Sequence, residues 1–334
     1  MPSYKTGTVT MLLSERPGLQ RVEVDGRPAY VLTQLIGSVA VGDRVVVNTT
    51  AVELGLGTGG WDVVHWNLER DEWSEPGPGH AMKLRYTSLQ VDAGTAAQPE
   101  RRVGPGAPLV ACFLHSQVAA VAAVFKRLAP HARLAYVMTD GGALPLAVSE
   151  LVPDLLRVGW VDLTVTAGQA FGGQREAVNV AHALQLTTDC DAVVVSMGPG
   201  SLGTDSSLGF SGLEVAAVLA LGELDTAETV RREPIVALRW SDADSRPRHR
   251  GLSHHAVTVL ELAPAPVIVP VPRGAPHPEI GDHVVVEVDV PDVGALFDEA
   301  GLDVRTMGRT PADDPGFFAY AGAAGVVAAE RVGR

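Results

Sequence analysis

From residue 1 to about 95 the chain alternates short β-branched or aromatic runs with turn residues. GTVTMLL, LQRVEV, PAYVLTQLI, DRVVVNTT, WDVVHWNL and AMKLRYTSLQV read as strands, broken by ERPG, VDGR and AVGD. Asp25-Gly26 is a tight-turn pair, and Gly42-Asp43 precedes the run Arg44–Asn48. Strands this short and this closely spaced predict a small β-barrel or sandwich over residues 1–95.

A Pro- and Gly-rich stretch, DAGTAAQPERRVGPGA at 92–107, interrupts the pattern, and residues 96–107 form the predicted linker. The period then changes. Apolar runs PLVACFL, ARLAYVM, VDLTVT, DAVVVSM and PIVALRW alternate with helical patterns QVAAVAAVFKRLA, PLAVSELVPDLLRVG, QREAVNVAHALQL and GLEVAAVLALGEL. Unbroken apolar strands between helices imply a parallel sheet covered on both faces, with right-handed crossovers. Residues 108–334 are therefore expected to form a Rossmann-like α/β domain with a mostly parallel, doubly wound sheet. Toward the end, GLSHHAVTVLEL and FFAYAGAAGVVAAERV look helical, and VIVPVP and HVVVEVDV look like strands. The alternate prolines of VIVPVP place it at a sheet edge or outside a sheet.

Composition narrows the choice of partners. Of 334 residues 46% are hydrophobic, enough for a sizeable core, and the net charge is −13. That charge argues against a nucleic-acid footprint. Trp61, Trp66 and Trp73 could stack bases, but residues 1–95 carry 8 basic against 11 acidic residues, so packing is the expected role. Cys112 and Cys190 lie in or beside apolar runs, as buried thiols of a reducing compartment would. No secretory leader pattern and no apolar run of about 20 residues is present, which points to a cytoplasmic protein without a membrane partner.

Chemistry is concentrated at the predicted strand ends. These are His115-Ser116, Thr139–Gly142, Thr166–Gly173, Met197–Ser201 and Ser241–Asp244. Ligands of open α/β sheets bind at such ends, and five polar or small ends in succession imply a lined crevice. The loop from Gly198 to Phe210, holding Gly198, Gly200, Ser201, Gly203, Thr204 and Asp205, is far longer than the 2–6 residues usual for a βα connection. Ser211-Gly212-Leu213-Glu214 has the spacing of a capping box at its end. Glycines admit close backbone approach, and a helix start offers N–H groups to an anion. The loop is neither a lysine-bearing phosphate loop nor a G-x-G-x-x-G turn.

Three further elements qualify as site candidates. Gly168, Gln169 and Gly172 in GQAFGG supply either amide donors or a tight turn. Asp140 is placed to hold a hydroxyl, bind a metal, accept a proton, or cap a helix. Arg246-Pro247-Arg248-His249-Arg250-Gly251-Leu252-Ser253-His254-His255 holds three arginines and three histidines with no acid among them. Ser253 is a natural N-cap, which sets His254 and His255 in a first helical turn and disfavours their protonation. Their spacing matches no standard zinc pattern, so no metal is expected.

TDGGALP, TAGQAFGG, MGPGSLGT and RPRHRGLSHH together resemble a bacterial family catalogued as a domain of unknown function, number thirty-eight sixty-six. The resemblance covers nearly the whole chain and carries no reaction, cofactor or catalytic residue with it. From the residues themselves, the expected ligand is a small anionic metabolite, phosphorylated or nucleotide-like. Gly198–Gly203 would cradle it, Arg246, Arg248 and Arg250 would add charge, and Asp140 would orient a hydroxyl. For an enzyme, His254 or His255 is the expected general base of a hydrolase or transferase. The alternatives are a ligand sensor acting through its barrel and a scaffold whose loops make homo-oligomer contacts. The residues identify no cofactor.

Overall fold

A computed structural model describes the chain except for residues 1, 58, 78, 80, 278, 333 and 334. Backbone contacts divide it into two compact units, Met1–Gly94 and Thr95–Arg334. The first unit contains β1 (Tyr4–Arg16), β2 (Leu19–Val24), β3 (Arg27–Val31), α1 (Thr33–Ile36), β4 (Arg44–Asn48), α2 (Thr50–Glu53) and β5 (Asp62–Asn67). Its strands close into a barrel in the order β1-β2-β3-β5-β4. Period-two burial explains the closure: Val22 and Val24 of β2, Val45 and Val47 of β4 and Val64 of β5 all point into one apolar core. Val24 pairs with Arg27, so Asp25 and Gly26 alone make the turn, both at positive φ.

Two expected strands are shorter than their patterns. PAYVLTQLI ends at Val31 and turns into α1. Of AMKLRYTSLQV only β6 (Met82–Lys83) and β7 (Val91–Asp92) are extended, because Leu84 and Tyr86 take positive φ and leave the strand. Trp61 stacks on Tyr30 at 4.8 Å, Trp66 packs on the barrel core, and Arg70 lies over Trp73.

The second unit runs β8 (Ala107–Cys112), α3 (Gln117–Leu128), β9 (Leu134–Thr139), α4 (Leu151–Arg157), β10 (Leu163–Thr166), β11 (Arg175–Glu176), α5 (Val180–Gln185), β12 (Ala192–Met197), α6 (Glu214–Leu221) and β13 (Arg232–Ala237). It continues with β14 (Trp240–Ser241), β15 (Gly251–Leu252), α7 (His254–Leu262), β16 (Ile268–Pro272), β17 (Val284–Val288), α8 (Val293–Ala300) and α9 (Pro315–Glu330). Eight strands form one sheet, β11-β10-β9-β12-β8-β13-β16-β17, and every pairing in it is parallel. The unit is a Rossmann-like α/β fold.

Strand order fixes the layers. The chain moves one way from β8 through β9 to β11, then returns through β12, β13 and β16. Right-handed crossovers running in opposite directions lie on opposite faces. Accordingly α3 packs with α4, α8 and α9, while α6 packs with α5 and α7. No helix among the described residues is long and apolar enough to cross a membrane.

Three local expectations are corrected. VIVPVP is not at an edge: β16 lies between β13 and β17. Prolines two residues apart withhold N–H groups from one side only. The ladder to β17 runs through five residues, whereas that to β13 is a single pair, Ile235 with Ile268. QREAVNVAHALQL begins as the short strand β11, because Glu176 accepts from Thr166 Oγ1 (2.6 Å) and Gly172 N–H (2.7 Å). The capping box does not form. Ser211 Oγ instead accepts from Leu202 N–H, and Glu214 accepts from Thr139.

The closest helix contact is α3 with α9. A Cβ at Gly325 would sit 2.5 Å from the Val121 carbonyl oxygen, a backbone atom that cannot rotate away. Gly325→Ala should gain about 1 kcal/mol of helix propensity and still lower stability by roughly 1–3 kcal/mol through the clash. Urea unfolding checks this; a stabilised variant would mean the two helices are not so closely packed.

Candidate functional site

The fold determines where a cavity opens. β12 lies between β9 and β8, yet its chain leaves over the face opposite to theirs. Its end is thus a topological switch point on both sides, where loops diverge and leave a crevice. A cavity of about 700 Å³ occupies it. Its walls are residues 114–116 after β8, 197–203 after β12, 148–151 before and at the start of α4, and 302–307 after α8, with Arg239, Arg246, Arg248, His249 and His255.

Arg239 is the central charge. It is 5% exposed, and among the described residues no carboxylate is paired with it. Burial, reinforced by Arg246, Arg309 and Arg248 and opposed in part by the nearby Asp244, pulls its guanidinium down to about 10. Arg239 Nη1 contacts His255 Nδ1 at 2.9 Å. A guanidinium only donates, so Nδ1 carries the lone pair and the neutral ring holds its proton on Nε2. Burial, followed by the charge of Arg239, holds His255 down at about 3. The ring lies flat on Phe210, 3.7 Å between centroids, and its Nε2 edge faces Gly203. His255 is therefore a hydrogen-bond donor with no lone pair free to act as a base.

The loop after β12 supplies further donors. Gly200, at φ +91°, Ser201 and Gly203 have N–H groups that meet no protein acceptor among the described residues. Thr204 is occupied within the loop, where its Oγ1 donates to the Gly209 carbonyl. Asp205 is exposed and pairs with Arg248, which ties the histidine-rich segment to the glycine loop.

The other sequence candidates divide between the cavity and its surroundings. Arg246 lines the cavity but forms a two-pronged pair with the buried Asp244 (2.9 and 2.8 Å), whose carboxyl it holds far below the usual range. Arg250 donates to the Asp244 carbonyl and is not in the cavity wall. Asp140 and Gln169 also stay outside it: Asp140 Oδ2 accepts from Gln169 N–H at 2.8 Å, bracing the turn at Gly168. Gly172 gives its N–H to Glu176. Acids at the rim, Asp154 and Asp303, pair with Arg157 and Arg305.

His249, His254 and His255 bring one ring nitrogen each within 4.8 Å of one another, a set a metal ion could use. Two features oppose it. A cation would enter beside Arg239, Arg246 and Arg248, and His255 would have to ligate through an Nε2 that bears a proton. His249 gives Nδ1 to Ser253 Oγ (2.8 Å), whereas His254 Nδ1 is buried without a partner. Ser253 caps α7 as expected, accepting from His255 N–H.

Sequence patterns did not single out Arg239 or the 302–307 segment, and gave Glu214 only a capping role. Arg239 had a signal, since it closes the apolar run PIVALRW at a strand end. Glu214 is mostly buried near Asp140, and burial raises its carboxyl to about 7. A carboxyl raised from 4.5 in the unfolded chain stabilises fully below pH 4.5, and that contribution is lost as pH rises through 7. Glu214→Gln should match the wild type near pH 4.5 and exceed its stability at pH 8, by at most about 3 kcal/mol. Chemical unfolding at the two pH values checks this, and equal stability of both proteins at pH 8 would contradict it.

No curated protein matches the chain. A family model described as "Protein of unknown function (DUF3866)" matches residues 28–325, from β3 into α9. The chain belongs to that family.

Proposed function

We propose that the protein binds a small, multiply charged anion of the phosphate-ester kind in the cavity at the ends of β8 and β12. The observation that carries this reading is Arg239. A buried cation without a counter-charge costs several kcal/mol, and a ligand oxygen beside it would offset that cost. Donors of different origin surround the same space: the guanidinium, His255 Nε2–H, and the N–H groups of Gly200, Ser201 and Gly203. Such convergence on one side of a cavity suits the several oxygens of a phosphate group. A second cavity, at the opposite sheet edge, holds Arg231 and Arg331, which pair with Glu223 and Glu233, and the buried Arg232, which donates to the Thr187 carbonyl; among the described residues no histidine or glycine-rich loop joins them there.

Calorimetry with inorganic phosphate and sulfate tests the reading. Arg239→Met should weaken binding at least about tenfold, the value of a charged hydrogen bond. The ligand-free variant should lie within about 1 kcal/mol of wild type, because the lost side chain is a repelled, desolvated charge. His255 and His249 are held near 3 and 4, so sulfate affinity should stay flat from pH 5.5 to 8. Undiminished affinity in Arg239→Met, or affinity that falls through pH 6–7 as an imidazolium would dictate, contradicts the proposal.

A further inference from the structure

The cavity lining also carries a chain of hydrogen bonds that anion binding does not use. Ser149 Oγ lies 2.7 Å from His115 Nε2, and His115 Nδ1 lies 2.9 Å from the Tyr136 hydroxyl. Tyr136 in turn reaches the Met197 carbonyl at 3.3 Å, and that carbonyl also lies within hydrogen-bond reach of the His115 ring. Tyr136 directs its single hydroxyl proton at the Ser196 and Met197 carbonyls, so its oxygen accepts from His115 Nδ1–H, and Nε2 presents its lone pair to the serine hydroxyl. His115 and Ser149 both line the cavity, although Ser149 is 1% exposed.

From this juxtaposition we infer that Ser149 is a nucleophile and His115 its general base, acting on a carboxylic ester whose anionic group occupies the Arg239 subsite. The inference rests on the anion-binding reading for that handle alone. Capping is a rival role for the serine, because Ser149 Oγ also accepts from Val152 N–H at 3.1 Å. A cap needs only the acceptor side of the hydroxyl, whereas here the donor side is aimed at an imidazole. Burial keeps that imidazole neutral, at about 4, so its lone pair is present at every working pH. A hydroxyl on a base that is oriented by a third group is the arrangement that activates nucleophilic serines.

In the step that follows, Ser149 Oγ bonds to the ester carbonyl carbon and its proton passes to His115 Nε2. The bond from that carbon to the alcohol oxygen breaks, and the leaving alcohol takes the proton from Nε2. Water then attacks the acyl-serine, giving a proton to Nε2. Ser149 leaves with that proton returned to it. One water is consumed, and an acid and an alcohol are released. Tyr136 touches neither substrate nor water and is a positioning residue.

The test treats the full-length protein with a fluorophosphonate probe at pH 7.5 and follows intact mass and peptide maps. One adduct on Ser149 is expected, with labelling slowed at least about 100-fold in His115→Ala, the usual contribution of a general base. Ser149→Ala should take no adduct. Ser149→Cys, which keeps a capping acceptor, should instead be alkylated there by iodoacetamide, so a loss of folding in the alanine variant leaves the question decidable. A cap-only serine would give no adduct, and no adduct, an adduct elsewhere, or equal labelling in His115→Ala overturns the inference. Sulfate titration of His115→Ala separates the two readings. Retained sulfate binding without labelling in the wild type sinks the nucleophile alone, while Ser149 labelling without sulfate binding upholds the nucleophile and removes the anionic handle.

Discussion

Insertion of β12 between β9 and β8 is the constraint on which the site depends. Parallel pairing sends all three carboxyl ends to one edge, while the reversal of direction sends the β12 crossover to the opposite face from its neighbours. The loops cannot pack over one another there, so space remains. The glycine loop after β12 then crosses the mouth of that space. It is anchored by Ala143 N–H on the Pro199 carbonyl and by the short bridge between Gly203 and Phe210. Phe210 gives the flat surface on which His255 rests, and Arg239 follows from the end of the neighbouring strand β13.

Charge is arranged within that frame with unusual asymmetry. Several arginines of the unit pair with acids, as Arg175 does with Asp189 and Arg309 with Asp314, whereas among the described residues the buried Arg232, like Arg239, does not and meets only Thr187. Arg239 has only a neutral imidazole. Neutral histidines beside arginines lower the repulsion that protonated ones would add, so the cluster tolerates burial without acquiring acids. The arrangement stores an electrostatic demand for an anion, and the free N–H groups of the loop lie along the same wall. Ser149 and His115, with Tyr136 behind them, form a separate and uncharged set.

Periodicity made most of the fold legible. Five apolar runs became strands of the parallel sheet, and the glycine loop and the histidine-rich segment do meet at one cavity. What sequence left hidden depended on which partner each side chain meets in the folded chain. Asp140 looks like a ligand group until Gln169 N–H is found on it, and Arg246 looks free until Asp244 is seen to face it two residues away. Arg239 is the reverse case: its importance comes from the lack of a directly paired carboxylate, which no local pattern records. Ser149 and His115 are separated by 34 residues, and only the adjacency of the β8 and β9 ends to β12 unites them. The prolines of β16 are tolerated inside the sheet because its ladder is full on the β17 side and a single pair on the β13 side.

The most direct measurement is a crystal structure of the protein grown with inorganic phosphate. The account predicts phosphate density in the cavity, hydrogen-bonded to Arg239, to His255 Nε2 and to N–H groups of Gly200–Gly203. An empty cavity at a phosphate concentration that saturates calorimetric binding, or phosphate held only by surface arginines elsewhere, would contradict it.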